Sequence, residues 1–322
     1  MMTPLDPVGD TLSLPMPGLE PDNLLAFLAL LGLLHALETA RPDWRPRISW
    51  KGPPWTAQLH LAAFPEQVEI AQAANEGLAE IIQHFEQHFE VDQRKNVDFT
   101  AEDYRSYATR MQKKSVGGAL ASALTAEWPR KKAGGLFAAP LVMMFGQGHQ
   151  NFLERLVDVP RGKLPNRLRK LKSPPDMTEP GKIAEALFQP WRHDDDADGF
   201  RWDPEDDQRY ALRYDDPSLA GAAPTVVGAN RLAVIGFLSF STAPHANRMQ
   251  AVGATRESDE WFFVWPIWLR PLSRAGIEAL LAHPALFEGG RNKLRLLGVD
   301  EIFRARRVAN GKFMNVTRAR PV

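Results

Sequence analysis

Residues 21–42 read PDNLLAFLALLGLLHALETARP, and the remainder of the chain has to be packed around them. Asp22 or Asn23 is placed to cap a helix, Glu38 and Arg41 lie at its far end, and Pro42 stops it. Leucines 24, 25, 28, 30, 31, 33, 34 and 37 with Phe27 leave almost no polar face, which predicts a helix buried on most sides. Gly32 in its middle costs about 1 kcal/mol against alanine, so the glycine predicts close contact with a neighbouring element. The uninterrupted apolar run, Leu24 to Leu34, is shorter than the roughly twenty residues of a bilayer span. It reads as the core helix of a soluble protein with no membrane partner.

Composition agrees with a chain that folds on its own core. Its 322 residues carry 39 basic and 39 acidic side chains, 8 histidines and no cysteine. Disulfides, thiolate metal sites and cysteine nucleophiles are thereby excluded. A net charge of zero argues against a surface that is basic throughout, while leaving room for a local basic patch. Residues 1–18 contain four prolines, two aspartates and no lysine or arginine, unlike a secretory leader, and the expected location is the cytoplasm.

Outward from the first helix, Gln58–Leu61 alternates like a short strand, and residues 66–90 return to helical periodicity. Thr100 and Asp103 form a capping-box pair at the start of a third helix, which is expected to break near Gly117-Gly118. Ala119–Trp128 reads as a further helix. Residues 161–182 hold four prolines, with Pro160 just before them, and a run of cations with no acid before Asp176, the composition of a linker or basic loop. Beyond it, 194–216 is acidic, Asn230–Phe240 is an apolar element that fits helix or strand, and Trp261–Trp268 reads as a buried strand. Ser273 opens a helix to Ala282. A hairpin is expected from Ile302–Val308 and Lys312–Arg318 around Asn310-Gly311. The expected class is α+β: a mainly helical domain at 1–160, the basic segment at 161–182, and an α+β domain at 183–322 with an acidic loop and a basic terminal hairpin.

Catalytic signatures are absent from the sequence. Gly117-Gly118 and Gly134-Gly135 lack the lysine and hydroxyl of a phosphate loop, and there is no nucleophile elbow. Asp194, Asp196, Asp198 and Glu205 with Gly199 match the spacing of a calcium loop, but Arg201 and Pro204 break its context, and a solvated acidic loop is the plainer reading. His84 and His88 stand one helical turn apart without a third ligand at metal-site spacing. Tryptophans 44, 50 and 55 lie among prolines and 261, 265 and 268 in an apolar run; base stacking competes with simple packing for both groups. Basic clusters recur at Lys113-Lys114, at 130–132, across 161–172 and through Arg291–Arg320. From charge, the candidate phosphate contacts are Lys131, Lys132, Arg167, Arg169, Lys170, Arg304, Arg306 and Arg318. Strand alternation puts Arg304 and Arg306 on one face.

Two blocks add a family resemblance. Residues 14–34, LPMPGLEPDNLLAFLALLGLL, are one; residues 198–218, DGFRWDPEDDQRYALRYDDPS, followed by GANRLA at 228–233, are the other. Together they resemble type I-G (formerly type I-U) CRISPR effector-complex proteins of the large-subunit-like group. The resemblance implies a non-enzymatic subunit without a cofactor. Its partners would be other effector subunits, guide RNA and target DNA, and a helicase-nuclease. Base pairing would read sequence while protein contacts backbone. It also makes the acidic block a structural feature, with Trp202 and Tyr210 packed inward. Two other readings stay open: a metal-dependent nuclease or hydrolase using the 194–216 carboxylates with His193, and a protein–protein adaptor that touches no nucleic acid.

Overall fold

A computed structural model describes residues 11–92, 96–97, 100–128, 135–143, 151–164, 166–205, 225–245, 248–288, 290–310 and 313–322. Its helices are α1 (Leu24–Ala40), α2 (Gln67–Asp92), α3 (Ala101–Met111), α4 (Ser115–Leu124), α5 (Phe152–Asp158), α6 (Asn166–Arg169), α7 (Pro180–Phe188), α8 (Val227–Gly236), α9 (Arg274–Leu281) and α10 (Arg291–Leu296). Its strands are β1 (Leu12–Met16), β2 (Arg47–Lys51), β3 (Thr56–Leu61), β4 (Thr125–Trp128), β5 (Gly135–Ala138), β6 (Thr242–His245), β7 (Arg248–Ala251), β8 (Ala254–Glu257), β9 (Glu260–Trp268), β10 (Val299–Asn310), β11 (Phe313–Val316) and β12 (Arg320–Pro321). Helices crowd the first half and the main sheet fills the second, the expected α+β class.

Helix α1 is the axis of the molecule. Asn23 caps it, its Oδ1 accepting the N–H groups of Leu25 at 2.9 Å and Ala26 at 3.4 Å. Every residue from Leu24 to Leu34 is buried. The expected close approach at Gly32 is made by α8: a Cβ on Gly32 would lie 1.9 Å from the Leu232 carbonyl oxygen. The contact is reciprocal, since a Cβ on Gly236 would lie 1.9 Å from the Leu28 oxygen. The two backbones therefore touch where they cross. On another side Gly77 of α2 meets the Ala36 carbonyl in the same way, at 2.0 Å.

The large antiparallel sheet runs β11-β10-β9-β8-β7-β6, with β12 pairing β10, and a smaller sheet runs β1-β3-β2. The large sheet lies against α1, and the small sheet packs on the large one. Phe27 stacks on Trp265 at 5.5 Å, and Trp50 meets Trp268 edge-on at 6.3 Å. The indole N–H groups are satisfied by main chain: Trp265 donates to Pro21 O at 2.9 Å and Trp268 to Ile48 O at 2.7 Å. These rings are core, so the apolar tryptophan run is packing. One hydrophobic cluster extends from Met16 to Ala319, continuous on both sides of the 161–182 segment.

Two elements differ from the sequence expectation. The helix expected at Ala119–Trp128 begins earlier, at Ser115, passes through Gly117-Gly118, and ends at Leu124. Thr125–Trp128 is instead a strand paired with β5. Thr125 turns extended, its hydroxyl donating to Phe137 O at 2.8 Å, while Tyr104 donates to Thr125 O at 2.8 Å. The apolar element at Asn230–Phe240 resolves as helix α8 followed by a tight turn at Phe237–Ser239. The basic segment contains the single turn α6 and, among the described residues, is otherwise loop up to Pro180, which opens α7; residues 169–176 are exposed and Met177 is buried. The terminal hairpin pairs Arg307 with Val316 and Asn310 with Phe313; Gly311 and Lys312 lie outside the described residues.

The crossing sets a test. Gly32→Ala should lower stability by about 3 kcal/mol or more, because the intruding carbon meets backbone that has no room to retreat. Gly181→Ala in α7, with nothing within 4 Å of the new carbon, should leave stability unchanged or raise it by up to ~1 kcal/mol. Urea midpoints of the two variants check both.

Candidate nucleic-acid interface

The basic and acidic loops are moored to the same helix. Helix α8 is buried along its whole length, Asn230 and Arg231 included. Its N-terminus has no cap from the preceding residue. Asp195 supplies one from a distance, accepting the Val227 N–H at 2.9 Å and the Lys182 ammonium at 2.5 Å. The Asp195 and Thr225 backbones also pair in both directions.

Arg231 holds the base of the basic loop. Its Nε donates to Pro160 O at 2.9 Å, Nη1 to Thr178 O at 3.3 Å and Nη2 to Asn75 Oδ1 at 2.6 Å. The first two acceptors flank residues 161–177, so one guanidinium closes the loop at both ends. All three acceptors are neutral; burial lowers the Arg231 pKa to about 10, against a smaller upward effect of Asp176. Sequence reasoning did not single out this residue, although an arginine inside an apolar stretch is the signal that it has a buried partner set.

Within the loop Lys163 pairs with Asp158 at 2.5 Å. Arg169, Lys170 and Lys172 are exposed, and for Lys170 and Lys172 no acidic partner stands within reach among the described residues. Arg167 belongs to α6 by its backbone, while its side chain, like Lys131 and Lys132, lies outside the described residues.

The hairpin cations are in a different condition. Phe303 and Ala305 point into the core and Arg304 and Arg306 point out, the alternation expected from sequence. Arg304 pairs with Glu257 and lies 3.7 Å over the Phe262 ring; Arg306 reaches Glu260 at 3.4 Å. Arg318 pairs with Glu20 and, at 3.0 Å, with Asp22, and stands 3.5 Å from Glu205. Burial works against the Arg318 charge, but Glu20 and Asp22 more than offset it and raise its pKa. These three side chains tie strands and termini together. Among the described residues, Lys170 and Lys172 of the loop do not.

Of the acidic block, 206–216 lie outside the described residues, and several carboxylates among 194–205 are committed to internal work. Asp198 pairs with Arg155 at 2.9 Å and Glu205 faces Arg318, while Asp194 is exposed and Asp196 partly buried. Among the described residues no three histidine or carboxylate side chains gather where they could hold a metal ion, so the calcium-loop spacing is not realised around a common centre. His84 is exposed, and the side chain of His88 lies outside the described residues. Asp203, 2% exposed, accepts from Asn23 Nδ2 at 3.1 Å and from the Glu205 N–H at 3.0 Å, and contacts His193 Nε2 at 2.8 Å. Burial alone would lower the His193 pKa; the hydrogen bond and charge of Asp203, helped by Glu205, outweigh it and raise it. The backbone is left-handed at His193 (φ 55°) and Arg201 (φ 63°), a conformation costing roughly 1–2 kcal/mol each; at His193 the contact with Asp203 helps to hold it. Trp202 is packed inward, donating to Leu141 O at 2.9 Å; Tyr210 lies outside the described residues.

Away from both loops is an open cleft of about 510 Å³ bounded by His35, Ser122, Ser239, Arg274 and Glu278. Arg274 bridges Glu38 at 2.9 Å and Glu278 at 2.8 Å. Burial, and secondarily the Arg274 charge, lower the His35 pKa to about 4, against a hydrogen bond to the Ile235 backbone that raises it.

Two measurements follow from these geometries. Arg231→Met leaves three acceptors, one buried and two partly buried, without their donor and should cost about 3 kcal/mol; protease cleavage within 161–177 should accelerate more than cleavage elsewhere. His35 stays neutral in the fold, so below its ordinary value of 6.5 the unfolded chain takes up a proton that the native state refuses until about pH 4. Its contribution is whole above pH 6.5 and is lost on acidification between 6.5 and about 4, up to about 3 kcal/mol. A His35→Gln variant should show a flatter decline of urea midpoint over that window than the wild type.

Comparison of the chain with family models, with curated proteins and with solved structures gave no match.

Proposed function

We propose that the chain is a non-catalytic subunit of a type I-G CRISPR RNA-guided surveillance complex, contacting guide RNA or target DNA backbone through its basic loop and other subunits through its remaining surface. One observation carries this reading beyond the sequence resemblance: the separate blocks that bear the resemblance meet in space. Asn23 of the first block donates to Asp203 of the second at 3.1 Å, and Gly32 of the first lies against Leu232 of the segment that follows. The blocks are thus one interlocked frame, as expected of residues that define a common fold rather than of scattered chance similarities.

The same frame presents the loop at 161–177 through Arg231. Exposed Lys170 and Lys172 have no carboxylate to displace among the described residues, which suits them to phosphate better than Arg304, Arg306 and Arg318. The loop can contact a duplex flank or a displaced strand without reading bases, leaving sequence recognition to pairing. Engagement of a helicase-nuclease and a cytoplasmic location belong to the same proposal.

A pull-down of the tagged chain from its native host tests the assignment. Repeat-derived RNAs of near-uniform length, together with other effector subunits, are the expected companions; recovery of a nucleic-acid-free monomer would overturn it. In the purified complex, Lys170→Glu with Lys172→Glu should weaken DNA binding and flatten the dependence of log affinity on log salt by about 0.9 for each lost phosphate contact. Unchanged affinity with an unchanged slope would remove the loop from the interface.

A further inference from the structure

At one end of the large sheet, Leu269, Leu296 and Leu297 are 49%, 89% and 48% exposed. They are neighbours by hydrogen bonding: the Leu269 N–H, just past β9, donates at 3.0 Å to Gly298 O, beside Leu297. The short helix α10 buries Leu294 and ends in a tight turn, with Leu297 N–H bonded to Leu294 O at 2.9 Å and Gly298 N–H to Arg295 O at 3.0 Å. Gly298 takes φ +85°, a conformation that suits glycine and ends the helix so that the two leucines before it face water.

Cations surround this apolar surface. Arg270 runs beside Gly298, its Cγ 3.9 Å from where a Cβ would stand, and Lys293 and Arg295 are exposed on α10. None of the three has an ion-pair partner among the described residues. Of the carboxylates that follow the turn, Glu301 is matched to Arg291 at 2.8 Å, leaving Asp300 as the local counter-charge.

We propose that this end of the sheet is a docking surface for a segment of another protein that carries apolar side chains in an acidic setting. A polyphosphate would neutralise the cations and leave the leucines wet. An uncharged apolar segment would cover the leucines and leave the cations without partners. An acidic, leucine-bearing segment answers both, with an apolar centre and a charged rim, the arrangement common to protein–protein interfaces. The surface is separate from the basic loop, and the inference stands in whatever assembly the chain occupies.

The test is selection of a random peptide library, displayed on phage, against the full chain, with counter-selection on Leu296→Ser. Enriched peptides are then titrated by fluorescence anisotropy onto wild type, Leu296→Ser and Lys293→Glu with Arg295→Glu, after thermal melts confirm equal folding. The expected peptides combine Leu, Ile or Phe with an excess of Asp and Glu, and bind either variant at least tenfold more weakly. No enrichment, enriched peptides without the acidic excess, or equal affinity for the variants would each overturn the proposal. Concentration-dependent self-association abolished by Leu296→Ser would overturn it in favour of a second copy of the chain. Duplex DNA binding sensitive to the charge variant but not to Leu296→Ser would overturn it in favour of a polyanion.

Discussion

Everything else in the molecule is placed by the backbone contact between α1 and α8. Two helices that touch through Gly32 and Gly236 leave no room for side chains between them, so their crossing point cannot drift. The crossing in turn positions Asn23 at one end of α1, which reaches Asp203 at 3.1 Å, and Arg231 on α8, which closes the basic loop. A helix with no polar face needs neighbours on all sides. The large sheet, α2 and α8 supply them, and in doing so merge the two halves of the chain into one core.

Charge in this neutral protein is sorted by what it is paired with. Arg304, Arg306 and Arg318 meet carboxylates from β8, β9 and the turn before α1, and their role is to hold strands and termini in register. Surface pairs of this kind contribute little to stability individually, but they take their cations out of circulation. Among the described residues, Lys170 and Lys172 of the loop and Lys293 and Arg295 of α10 have no such partner. A count of basic residues along the chain does not separate these two populations.

The legible parts of the fold were those specified locally. The all-apolar run at 24–34 announced a buried helix, Asn23, Thr100 and Ser273 announced helix starts, and Asn310-Gly311 a hairpin. The strand at Thr125–Trp128 was not legible, because its extended state depends on pairing with β5, and α8 was ambiguous because complete burial erases the period that separates helix from strand. Alternation placed Arg304 and Arg306 on one face. Their partners were hidden, since Glu257 and Glu260 lie 47 and 46 residues earlier. The Arg231 clamp depends on Asn75, 156 residues away, and no local pattern reports such a contact.

The clamp has a consequence for reuse of the loop. Arg231 binds carbonyl and amide oxygens that carry no net charge, so the mooring of the loop is buried hydrogen bonding, whereas any grip of its lysines on a polyanion is a matter of exposed charge. Ionic strength erodes the second far more than the first. A rise in salt would therefore weaken any such grip while leaving the loop tied down at both ends. When the salt falls, the two ends are still anchored, so rebinding would carry no fresh entropic cost of closing the loop.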